Sequence, residues 1–298
     1  MSGLPSELVI VSGLSGSGKT VALHTLEDEG YHCIDNLSPG LLKALVLQWE
    51  AEGTGYYDRV AVGIDARSNP RALQGFPTLL GEIRSRGVEP RVVFLQADAE
   101  TLLKRFSETR RRHPLTRRGL PLLEAIHLER ALLAEIADSA DLLISTSQTN
   151  VHQLRAVVRE RVVRTGASTL SLLLQSFGYK HGVPSDSDFV FDARCLPNPH
   201  WQPELRPLTG RDTAVQAFLE ASPAVMRMSA SIAGFLETWL GHFQAEGRRY
   251  LTVSIGCTGG QHRSVYLAET LADRFRGRAG LSVSVRHREL GLFDGRSL

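Results

Sequence analysis

The apolar positions fall into short runs separated by longer mixed stretches. Leu8-Val9-Ile10-Val11 is a run of this kind, and Val21 to Glu27 after it has helical spacing. Gly30 to Asn36 reads as a short strand with a polar end. Pro39 to Glu52 reads as a helix, and Arg59 to Asp65 as an apolar strand ending in an acid. Leu73–Arg86 is expected to be helical, Arg91–Ala97 a buried strand, Ala99–Arg112 a helix with a basic end, Leu120–Ala137 a helix, and Leu142–Thr146 a strand. Buried strands alternating with helices of this length predict an α/β domain with a parallel sheet covered on both faces.

Val151–Arg164 reads as the helix that closes this domain, which gives a first domain over 1–164 and a second over 165–298. The second, beginning near Gly166, is also α/β. Strands are expected at Ser168–Ser176, Asp188–Arg194, Tyr250–Ile255 and Leu281–Val285. Helices are expected at Ala224–Gln244 and Val265–Arg276. Leu196 to Trp201 contains two prolines and is expected to be irregular.

The loop between the first strand and helix carries the sharpest chemistry. Gly13-Leu14-Ser15-Gly16-Ser17-Gly18-Lys19-Thr20 fits G-x-x-x-x-G-K-[ST], and its strand–loop–helix context is what a phosphate-binding P-loop requires. Backbone N–H groups and the helix N-terminus would cradle phosphate oxygens. Lys19 would reach the β- and γ-phosphates, and Thr20 would hold Mg²⁺. The metal also needs an acid: Asp65 is the first candidate, Asp35 the second and Asp98 the third. Asp65-Ala66-Arg67-Ser68 is placed to touch the nucleotide from the side.

Lys104, Arg105, Arg110, Arg111, Arg112, His113, Arg117 and Arg118 form the strongest basic cluster. Three readings stay open: an arginine lid over a transferred phosphate, as in a small-molecule kinase; a surface for RNA or another anion; or a solvated helix end. In the second half, Cys257 and Arg263 have C-x₅-R spacing between a strand and a helix. This fits a cysteine phosphatase with Asp192 or Asp186 as acid, a non-covalent anion cradle, or a structural loop.

Composition narrows the picture. With 298 residues the chain is long enough for two domains, and a net charge of +2 gives no bulk attraction to nucleic acid. Its three cysteines, Cys33, Cys195 and Cys257, form no disulfide framework, which fits a reducing cytosol. No run approaches transmembrane length and no signal peptide is seen, so a soluble cytoplasmic protein is expected.

These motifs resemble the RapZ/YvcJ family of bacterial nucleotide-binding proteins. The resemblance is carried by the P-loop with Ala22-Leu23, by Cys33-Ile34-Asp35-Asn36-Leu37 and by Arg110 to Leu115. In the second half it is carried by Ser176 to Gly182, Asp192-Ala193-Arg194, Leu196 to Trp201 and Ile255 to Val265. It implies a P-loop NTPase domain followed by an α/β domain resembling a phosphofructokinase subdomain. It implies ATP at residues 13–20, guanine nucleotide at 65–68, weak ATPase and GTPase activity with Mg²⁺, and homo-oligomers. It also implies an amino-sugar phosphate bound through Asp192, His200, Cys257, Thr258, Gly259, His262 and Arg263, which favours the cradle over the phosphatase. RNA-binding members end in a lysine- and arginine-rich tail. Here Arg286-His287-Arg288-Glu289-Leu290 runs into Gly291 to Leu298 with no lysine, which weakens the expectation of an RNA partner; Arg274, Arg276 and Arg278 remain.

Overall fold

The computed structural model describes residues 7–52, 58–109, 111–163, 169–246, 248–290 and 292–294. The chain divides into two compact units, Met1–Arg159 and Glu160–Leu298. The boundary expected at residues 164 and 165, and Gly166 and Ser168 beside it, lie outside the described residues.

The first unit is built on β1 (Glu7–Gly13), α1 (Lys19–Asp28), β2 (His32–Ile34), α2 (Pro39–Glu52), β3 (Arg59–Gly63), α3 (Pro70–Gln74), α4 (Phe76–Arg84), β4 (Pro90–Gln96), α5 (Ala99–Thr109), α6 (Leu122–Leu132), α7 (Ala134–Asp138), β5 (Leu142–Ser145) and α8 (Val151–Val158). The five strands are parallel in the order β2-β3-β1-β4-β5. β1 is central, and its Leu8 and Ile10 lie in one core cluster with Val60, Val62, Val92 and Phe94 of its neighbours. Apolar side chains face both ways along β1, as helices on both faces require. The P-loop therefore leaves the carboxyl end of the central strand, where ligands of open α/β sheets bind.

Two expected helices are interrupted. The helix over Leu73–Arg86 breaks at Gly75 into α3 and α4 because Pro77, in the first turn of α4, cannot donate to a preceding carbonyl. The helix over Ala99–Arg112 is described only to Thr109; Arg110 lies outside the described residues. His113 precedes Pro114, is extended at φ −65°, ψ 138°, and caps a 3-10 turn over Pro114–Arg118. The helix over Leu120–Ala137 is likewise two pieces, α6 and α7, parted at Leu133.

The second unit contains β6 (Leu170–Gly178), β7 (Phe189–Asp192), α9 (Thr213–Glu220), α10 (Pro223–Ala245), β8 (Tyr250–Cys257), α11 (Arg263–Phe275), β9 (Leu281–His287) and β10 (Leu292–Asp294). Its sheet runs β10-β9-β6-β8-β7 and is parallel except for β10. Leu170, Leu172 and Leu174 of β6 share a core with Val253 and Ile255 of β8 and with Leu267, Leu271 and Phe275 of α11. α9 and β10 are not anticipated from the sequence. Among the described residues no helix is long and apolar enough to cross a membrane.

Candidate functional sites

Each unit has a strand–loop–helix segment carrying the candidate residues at the carboxyl end of its sheet. In the first unit the loop is held from outside. Leu14 N–H donates to Leu95 O at 3.1 Å, Thr146 Oγ1 donates to Ser17 O at 2.9 Å, and Arg105 donates to Gly16 O at 2.9 Å. With these carbonyls drawn outward, the first N–H groups of α1, which have no intrahelical acceptor, line the inner side. Gly13 lies so close to β4 that a Cβ there would stand 2.3 Å from Leu95 O. Gly18 caps α1 at φ +103°, a backbone that only glycine adopts without strain.

Lys19 extends from this loop to two acids. Its Nζ donates to Asp35 Oδ1 at 2.6 Å and to Asp65 Oδ2 at 3.4 Å. The two carboxylates differ in environment. Asp35, after β2, is exposed, whereas Asp65, after β3, is 8% exposed in its side chain. Asp65 is held on both oxygens: Arg67 N–H donates to Oδ1 at 2.9 Å, and the Arg67 guanidinium grips Oδ2. Burial alone would raise the Asp65 pKa, but the Arg67 hydrogen bonds and the Lys19 charge outweigh it and hold it below the ordinary carboxylate value. Arg67 thus turns back onto the segment at 65–68. Asp98, the third metal candidate, caps α5 instead, accepting from Thr101 N–H at 2.7 Å.

The described members of the basic cluster differ in exposure and partners. Arg105 is half-buried and ties the P-loop to Thr146 and Thr149. Lys104, Arg111 and Arg112 are exposed; the side chains of Arg117 and Arg118 lie outside the described residues. His113 is fully buried and bonds Glu129 at 3.1 Å. Glu129 in turn accepts from Ser15 N–H at 2.8 Å and from the Ser15 hydroxyl at 2.7 Å. Glu129 carried no local signal: it lies mid-helix in α6, 114 residues from its partner.

A P-loop magnesium ion is held by one hydroxyl, by carboxylates through water and by the phosphates themselves. Exposed Thr20 and the exposed carboxylate of Asp35 suit that donor set; Asp65, engaged by Arg67, suits it less. Among the described residues no group of three or more His, Cys, Asp or Glu side chains forms a metal cage.

In the second unit Cys257 ends β8 and Arg263 begins α11. The Cys257 thiol is 3% exposed, accepts from Gly260 N–H at 3.2 Å and lies 3.2 Å from Ser264 Oγ. Arg263 is buried, donating to the carbonyls of Arg194 and Leu196 at 2.9 and 3.0 Å and to Thr258 Oγ1 at 3.3 Å. Its guanidinium thus braces the 194–196 segment against the loop, and the thiol is buried. His262 Nε2 donates to Leu205 O at 3.1 Å, since a carbonyl only accepts, and burial lowers the His262 pKa. His200 lies 6.2 Å from His262 between ring centroids. Asp192 pairs with Arg194, which stacks over Tyr179 at 3.8 Å. Thr258 and Gly259 complete the loop, with Lys180 Nζ 4.0 Å from where a Gly259 Cβ would lie. The fold therefore gathers Asp192, His200, Cys257, Thr258, Gly259, His262 and Arg263 at one end of the sheet, and adds Lys180, Tyr179 and Arg194, which lie in the motifs quoted from the sequence but were given no role there.

Two domain families meet along the chain. Residues 6–166 match the RapZ-like N-terminal domain and residues 170–291 the RapZ C-terminal domain. A nucleotide-binding protein of Thioalkalivibrio sulfidiphilus is 59% identical over 95% of this chain and 99% of its own length. One of Methylococcus capsulatus is 57% identical over 95% and 96%. Among solved structures, a shikimate kinase of Bacteroides thetaiotaomicron aligns weakly, at TM-score 0.35 and 16% identity over 51% of this chain and 94% of that one. Both halves of the chain, the P-loop unit and the Cys257–Arg263 unit, match in their family order: the chain belongs to the RapZ family of nucleotide-binding proteins.

Proposed function

We propose that this nucleotide-binding protein is a regulator that binds and slowly hydrolyses ATP or GTP with Mg²⁺ in its first unit and senses a phosphorylated small metabolite in its second. The observation that carries the reading is Lys19, set on a braced glycine loop between Asp35 and Asp65. Within a G-x-x-x-x-G-K-[ST] loop this ammonium is placed for phosphate: the nucleotide's γ-oxygens would displace Asp35, the exposed partner, and leave Asp65 to fix Arg67. Thr20 and Asp35 would hold the metal, whose charge would offset that building on the phosphate oxygens. Lys19 and Arg67 would bind and orient the phosphates.

For the second unit, the buried Arg263, Lys180 and the N-terminus of α11 supply positive potential, and the inward thiol supports binding without a covalent step. Sugar-phosphate binding lost in Arg263→Ala and kept in Cys257→Ser is the expected pattern; phosphatase activity that vanishes in Cys257→Ser would overturn it.

The test of the whole reading is ADP and GDP release with Mg²⁺, before and after adding a small-metabolite extract. A slow rate, abolished by Lys19→Ala and changed little by the extract, supports it. A large extract-dependent burst with a phosphorylated product means a small-molecule kinase instead. Unchanged ATP affinity in a folded Lys19→Ala protein removes the P-loop assignment.

A further inference from the structure

We propose that the Ser15 hydroxyl positions the nucleophile that attacks the terminal phosphate, and that Glu129 and His113 set its polarity for this task. The inference rests on the nucleotide-turnover reading above. It starts from proton accounting around one buried carboxylate.

Glu129 Oε1 accepts from the Ser15 hydroxyl at 2.7 Å. Its Oε2 accepts from Ser15 N–H at 2.8 Å and faces His113 Nε2 at 3.1 Å. His113 Nδ1 accepts from Leu115 N–H at 3.2 Å, so the ring proton is on Nε2 and points at Glu129. A carboxylate only accepts, so the single proton of the Ser15 hydroxyl is committed to Glu129. What Ser15 Oγ has left is lone pairs.

That oxygen belongs to the only half-buried member of the trio; the side chains of Glu129 and His113 are 0% exposed. It sits within the phosphate loop, between Gly13 and Lys19. A hydroxyl with its proton turned away repels phosphate oxygens. It accepts instead from an O–H, that of a water or an alcohol, beside the phosphate it would attack. Fully burying a carboxylate is expensive unless donors compensate it; here three donors converge on it, and two of them are Ser15's own. A tether alone could be made with a neutral amide. Ser15 would touch the reacting water; Glu129 and His113 act through it as positioning residues.

Glu129→Gln is the decisive variant because it keeps the shape and inverts the polarity. With its amide oxygen in the place of Oε2, it still accepts from Ser15 N–H and His113. Its amide nitrogen, in the place of Oε1, donates to Ser15 Oγ and turns the serine proton outward. The expected result is an ATP Kd within about threefold of wild type and a kcat lower by about 10- to 100-fold with KM little changed. Ser15→Ala should show the same loss, and the double variant should be no slower than Ser15→Ala alone, since both remove one interaction. If the buried substitution unfolds the protein, Ser15→Ala, which removes one of the three donors and leaves the residue-15 N–H and His113 on Glu129, carries the test.

A kcat within twofold of wild type in folded Glu129→Gln or Ser15→Ala overturns the inference. So does a double variant whose loss is the product of the single losses, or a fall in kcat matched by an equal fall in ATP affinity, which would make Glu129 a structural tether. A wild-type protein that binds ATP and never turns it over, or a Lys19→Ala protein that still turns it over, would instead remove the reading on which the inference rests.

Discussion

At the residue scale the P-loop is specified by backbone geometry as much as by side chains. Gly18 sits at φ +103°, and a Cβ there would lie 2.5 Å from Leu154 Cδ2. The leucine end can move, but the left-handed backbone costs an L-residue about 1–2 kcal/mol. Gly18→Ala should lower the melting temperature by a few degrees and weaken ATP binding, measured by thermal scans with and without nucleotide. Asp65 makes a second case. Its folded pKa is held below its unfolded value, so the stability it contributes is present above about pH 4 and is lost as pH falls through the depressed value. Arg67→Met removes the guanidinium hydrogen bonds and charge, keeps the residue-67 N–H bond and the Lys19 charge, and so gives burial more weight in pushing the pKa up. Acid unfolding of the variant, followed by urea midpoints from pH 7 to 3, should therefore begin at higher pH than in wild type. An unchanged acid limb would show that Arg67 does not hold Asp65.

At the scale of elements, contiguity decided what could be read. The strand–loop–helix around residues 13–20 was legible because glycine spacing, lysine and flanking apolar runs all lie within some 20 residues. The break at Pro77 follows from a proline rule that overrides periodicity, and a related rule keeps His113 extended before Pro114. Glu129 was not legible as part of the site, and Arg105, one of the basic cluster, was not legible as a brace of the P-loop, because what each does is set by where α6 and α5 pack. α8 shows how an element remote in sequence supports the loop. Asn150 and Gln153 form a capping box at its start, with reciprocal hydrogen bonds of 2.9 Å, and Leu154 in its first turn lies beside Gly18. Asn150→Ala should cost about 1 kcal/mol, read as a lower urea midpoint with unchanged slope, and should loosen ATP binding. Asn150→Asp, which keeps the accepting oxygen, should restore most of both.

At the scale of the whole molecule, a net charge of +2 leaves any RNA partner to a local concentration of free cations, and in the second unit the cations are largely engaged. Arg274 and Arg278 both pair with Glu237, at 3.0 and 2.8 Å, and Arg276 pairs with Asp273. Arg288 donates to the carbonyls of His181 and Gly182, and Arg286 lies 3.8 Å from Asp186. Acidic partners cancel much of the field that a phosphate backbone would meet, so RNA affinity should be weak and shallow in its salt dependence. The same arrangement gives a sharp prediction. Glu237→Gln removes the charge that holds two guanidiniums and leaves the exposed helix surface otherwise intact. If this face meets RNA at all, releasing two cations should steepen the slope of log K against log salt by up to about 1.4 for a single strand. Anisotropy titrations of a labelled single-stranded RNA between about 50 and 200 mM salt would show it. An unchanged slope in the variant would remove this face as an RNA surface.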